Sequence, residues 1–132
     1  MLATDRFEQA IVEAREAIRI SPDDPSLSTW LFLIGGATRR LGREDEALGY
    51  FIRAANLAPT EEGFRAAVVS TYALLGRHAE AAASLREWHE RRPEVTVGFF
   101  RRLTAFQSPY PGYQAGVERF LEGLRLAGLP EE

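Results

Sequence analysis

LGREDEALGYFIRAANLAP, residues 41–59, is written again as LGRHAEAAASLREWHERRP, residues 75–93, an offset of 34 residues. Leu, Gly and Arg open both copies. Glu46 matches Glu80, Ala47 matches Ala81, and Pro59 matches Pro93. A degenerate third copy, TDRFEQAIVEAREAIRISP, occupies residues 4–22, with Ala10 placed before Pro22 as Ala47 is before Pro59, and Ala17 standing where Ala54 does. Small and apolar residues recurring at this period imply stacked helical repeats, because each helix pair leaves an apolar face that a neighbour must cover.

Working outward, the apolar spacing draws the helices one by one. Phe7, Ala10, Ile11, Ala14, Ala17 and Ile18 recur every three or four residues, which predicts an amphipathic helix over 5–20. SPDDP, residues 21–25, stops it and starts the next, with Asp24 expected as N-cap. Helices are expected over 26–41 and 44–58, separated by Gly42, and over 61–75 and 78–91, separated by Gly76. Gly35, Ala47 and Ala54 are expected where helix axes approach closely. After Pro93 the repeat fades into two further helices. Phe99, Phe100, Leu103 and Phe106 mark one over 96–106, with VTV at 95–97 offering a weaker strand alternative. SPYPG, residues 108–112, breaks the chain. Tyr113, Val117, Phe120, Leu121 and Leu124 then stripe a last helix that Gly128 stops, with Leu129 able to fold back on it.

These residues resemble the tetratricopeptide repeat (TPR) family, whose unit is two antiparallel helices with small residues at their crossing and a Pro closing the second. Trp30 or Leu31, Ile34 and Gly35 fit the first-helix pattern ahead of Leu41, as Tyr72, Leu75 and Gly76 do in the next copy; Thr38, Arg65 and Val69 depart from it. The resemblance implies an all-α chain of about seven helices, forming a TPR-like right-handed α-solenoid. It divides a single domain, 1–132, into a half repeat over 4–22, full repeats over about 26–59 and 60–93, and a C-terminal capping pair over 94–129. On this reading the chain starts in mid-repeat and is a piece of a longer protein.

The resemblance also implies a peptide- or protein-binding groove lined by first helices. Its residues are Thr29, Phe32, Leu33, Gly36, Arg39 and Arg40, then Ala66, Ser70, Ala73 and Leu74, with Arg101 at the flank. The Lys and Asn that clamp a C-terminal carboxylate in chaperone-binding members are replaced by Phe32 and Gly36, then Ala66 and Ser70, so that clamp is absent. An apolar floor between arginines favours an apolar segment with acidic flanks. The equal alternative is that these residues meet the capping helices or a second chain. Because the first helix of the half repeat is missing on this reading, part of the stripe of Phe7, Ile11, Ala14 and Ile18 is expected to lack its usual cover and to support a homodimer.

The composition excludes several other classes. A net charge of −3, with all 16 basic residues Arg, gives no general attraction for nucleic acid. The chain has no Cys, and its two His, His78 and His89, lie about 16 Å apart along one predicted helix, so neither a metal nor a cofactor is expected. Gly35-Gly36 lacks a phosphate-loop context, and Ser70 and Ser84 lack a nucleophile motif. No catalytic residue is expected. The longest apolar run, residues 30–34, is too short to cross a bilayer, and residues 1–17 carry charges throughout, so neither a membrane partner nor a signal peptide is expected and the location is read as cytoplasmic. GLRLAGLPEE, residues 123–132, with Pro-Tyr-Pro before it, is similar to the tail after TPR repeats in bacterial adenylate and guanylate cyclases. That similarity implies the regulatory or scaffolding end of a signalling protein; self-association and an unrecognised enzyme are the other readings.

Overall fold

The structure is a computed structural model that describes residues 3–104 and 111–132, with side chains from Phe7 to Thr104 and from Gln114 onward. Phe106, most of the SPYPG breaker and the side chain of Tyr113 lie outside the described residues. The described residues form seven helices and no strand: α1 Ala3–Ile20, α2 Leu27–Arg40, α3 Glu44–Leu57, α4 Glu62–Leu74, α5 His78–Arg91, α6 Val97–Thr104 and α7 Pro111–Ala127. The chain is all-α, with each helix close to its expected place. It divides into two compact units, Met1–Arg65 and Ala66–Glu132.

Glycine sets three helix ends by the same chemistry. Gly42, Gly76 and Gly128 have φ of 81°, 78° and 103°, a region that costs a side-chain-bearing residue more than it costs Gly. Each makes the paired backbone bonds of a Schellman turn: Gly42 N–H to Arg39 O and Arg43 N–H to Thr38 O, Gly76 to Ala73 and Arg77 to Tyr72, Gly128 to Arg125 and Leu129 to Leu124. At the third, the hydrophobic contact that completes the motif is present, since Leu129 and Leu124 are buried in one cluster. The other end is set differently from the expectation for Asp24. Helix α2 starts at Leu27, and Asp24 Oδ1 accepts from the Ser26 N–H at 2.7 Å, two residues on, so the carboxylate shapes the turn ahead of the helix.

In the first unit, α1 packs on α2 and α2 on α3. Small residues let the axes approach. A Cβ on Gly35 would stand 2.6 Å from Phe51 Cε1, and Ala47 and Ala54 are fully buried. Ile11 and Ala14 are buried in a cluster with Ile34 and Ala37, flanked by Phe7, Ile18, Leu41 and Tyr50. Across this packing, Arg43 pairs with Glu8 at 2.7 Å, and Arg15 donates to the Tyr50 hydroxyl.

In the second unit, Trp88 and Phe100 are the largest buried side chains, and one cluster joins Ala66 and Val69 of α4, Leu85 and Trp88 of α5, Phe100 of α6, and Leu121 and Leu124 of α7. Phe100 sits among aromatics, 5.9 Å from Trp88 and edge-on to Phe99 and Phe120 at 5.1 and 5.6 Å. Val95 and Val97 are both fully buried. Val97 opens α6, so the VTV stretch serves as an apolar lead into a helix in place of a strand.

Candidate functional site

Helix α2 carries the first half of the expected groove. From its spacing, Thr29, Phe32, Leu33, Gly36, Arg39 and Arg40 spread along one side of a 14-residue helix whose opposite side buries Leu31, Ile34, Gly35, Ala37 and Thr38. Thr38 satisfies its hydroxyl within the helix by donating to Ile34 O at 2.7 Å. Leu33 is 52% exposed and Trp30 37%, while Thr29 and Arg40 are exposed and Arg39 is half-buried. Gly36 is open: a Cβ there meets nothing within 4 Å.

Phe32 differs from a free groove floor. Its ring stacks on Phe64 with centroids 4.7 Å apart and leans on Phe51 at 5.5 Å. It is half-buried and belongs to the packing as much as to the surface. Sequence reading missed this aromatic trio, because only the fold brings Phe64 to Phe32.

The second half of the expected groove is enclosed within its own unit. Ala66, Ser70 and Ala73 are buried, and Leu74 is half-buried. Ser70 donates its hydroxyl to Phe120 O on α7 at 2.7 Å. Gly123 lies at the same contact, where a Cβ would come within 2.6 Å of Ser70 O and 3.0 Å of Leu74 Cγ. Helix α7 therefore lies against the Ser70 face of α4. Gly123, an isolated Gly within the apolar stripe of α7, was the available signal for so close an approach. Arg101, expected at the flank, is exposed and pairs with Glu118 on α7 at 2.8 Å.

The α1 stripe is likewise redistributed. Ile11 and Ala14 are 4% and 6% exposed, already covered by α2, and Phe7 and Ile18 are half-buried. Among the described residues, the large exposed apolar side chains of α1 are Val12, at 58%, and Ile20, at 66%. Ile34 and Ala37 of α2 supply the cover of Ile11 and Ala14.

The electrostatics are those of a solvated surface. Glu16, Glu80 and Glu94 are held below the usual carboxylate range by hydrogen bonds from Arg19, Arg77 and Arg92 respectively, all in exposed positions. His89 Nε2 lies 3.2 Å from Val95 O, a backbone contact on the approach to α6. Among the described residues no three His, Cys, Asp or Glu come together in a way that could hold a metal ion, and no helix is long and apolar enough to cross a membrane. No family model, curated protein or solved structure matches the chain.

Proposed function

We propose that this chain is a non-catalytic protein-interaction module of TPR-like repeats, arranged as a right-handed solenoid and serving as the regulatory or scaffolding segment of a larger bacterial signalling protein, such as a nucleotide cyclase. The observation that carries the repeat reading is that the period extends from sequence to geometry. Helices α3 and α5 start at Glu44 and His78 and end at Leu57 and Arg91, the same 34-residue offset as Gly42 and Gly76, whose φ values agree within a few degrees. Two helix pairs cut to one pattern are what a repeat array requires.

The binding surface in this reading is the outer side of α2, with Leu33 and Trp30 as exposed apolar contacts and Thr29, Gly36, Arg39 and Arg40 around them. It takes an apolar helical or extended segment with acidic flanks. Titrating peptides that share one apolar core, with acidic or basic flanks, should give binding for the acidic series and its loss in Leu33→Glu, at an unchanged melting temperature. Equal binding of both series would sink the reading. Self-association is the second reading, favoured by the exposure of Val12 and Ile20 on α1. Light scattering over a wide concentration range, repeated with Ile20→Glu, tests it.

A further inference from the structure

Gly128 turns the chain out of α7, Leu129 is buried, and the following residues run back across the first turn of α6. The Val97 N–H donates to Pro130 O and the Gly98 N–H to Glu131 O, each at 2.8 Å. These amides belong to the first turn of a helix, where no intrahelical carbonyl is available to them. Closest approach occurs where α6 has no side chain. A Cβ on Gly98 would lie 2.5 Å from Glu132 Oε1, 2.9 Å from its Cδ and 3.0 Å from Glu131 O. Two arginines complete the fit. Glu131 pairs with Arg125, and Glu132 lies 3.6 Å from Arg102. The Pro-Glu-Glu segment thus accepts from two amides that have no intrahelical partner, and meets the positive end of a helix dipole and two guanidinium groups.

We propose that the first turn of α6 is a binding site for an acidic peptide segment, filled in cis by residues 130–132 and opened to a partner's segment of the same chemistry when those residues are displaced. This site is separate from the α2 surface and does not depend on it. Backbone bonds and exposed ion pairs are individually weak in water, so residues 130–132 hold their place mainly by being tethered. A short tether supplies an effective concentration on the order of millimolar, which a free peptide must exceed unless residues 130–132 are altered or held elsewhere.

The test uses the full chain carrying Glu131→Lys with Glu132→Lys, which turns the charges of this segment against Arg102, Arg125 and the helix end. Amide exchange at Val97 and Gly98 should quicken by at least about tenfold. Acetyl-Leu-Pro-Glu-Glu, followed by the amide resonances of Val97 and Gly98, should then bind at least about tenfold more tightly than it does to the unsubstituted chain. Acetyl-Leu-Pro-Gln-Gln should bind more weakly than the acidic peptide. Gly98→Val in the charge-reversed chain should abolish binding with helicity retained; where that substitution disturbs α6, Arg102→Glu serves in its place. Continued protection of both amides despite the reversed charge, equal shifts with the two peptides, or no saturable shift with either overturns the proposal.

Discussion

At the scale of single residues, glycines separate into those that space demands and those it does not. Gly35 faces Phe51 with no room for a methyl group, so Gly35→Ala should cost about 1–3 kcal/mol in urea unfolding as the ring is displaced. Gly36 and Gly49 also sit inside helices, yet a Cβ at either meets nothing within 4 Å. Ala at those two positions should gain up to about 1 kcal/mol through helix propensity. If all three substitutions shift the midpoint alike, the close contact with Phe51 is not as described. Gly76, at φ 78°, belongs to a third class in which conformation, not contact, is the constraint. Gly76→Ala should destabilise by about 1 kcal/mol although its surroundings are open.

At the scale of elements, α6 and α7 are joined by two kinds of contact with very different weight. Arg101 and Glu118 are both about half exposed, so their pair at 2.8 Å should contribute less than about 1 kcal/mol in a double-mutant cycle. Phe100 is 2% exposed among Trp88, Phe99 and Phe120, and Phe100→Ala should remove about 3–5 kcal/mol. A coupling energy for the ion pair that rivals the loss at Phe100 would reverse this ranking. The same comparison explains the α2 surface. Phe32 packs on Phe51 and Phe64, so Phe32→Glu confounds binding with stability, whereas the exposed Leu33 leaves the core untouched.

At the scale of the whole molecule, the lowered carboxylates Glu16, Glu80 and Glu94 give the pH dependence its sign. Each binds protons less readily when folded than when unfolded, so its contribution is present above the ordinary glutamate value and is lost as pH falls through the lower folded value. The melting temperature should therefore decline on acidification from about pH 6 to about pH 3. All three groups are exposed, so the decline should be shallow and should flatten in high salt. A melting temperature that rises over this interval would contradict the pairing with Arg19, Arg77 and Arg92.

The sequence by itself determined the helices: where they run, that they repeat, and that Gly42, Gly76 and Gly128 end them. Those features are local, since a 3.6-residue period needs only neighbouring residues and a left-handed glycine needs only its own backbone. It also marked Gly35, Ala47 and Ala54 as points of close approach. Which faces stay exposed was decided only by the tertiary structure. Ser70 and Ala73 look the same in sequence whether a peptide or α7 covers them, and it is the Ser70 hydroxyl on Phe120 O, beside Gly123, that places α7 there. Likewise the stripe on α1 announces that it needs cover without saying that Ile34 and Ala37 supply it. Gly98 announces a bare spot on α6 without saying that residues 130–132 will cross it. Apolar burial is non-directional, so a pattern fixes the side a helix must hide, and the partner is chosen by contacts between residues far apart in the chain.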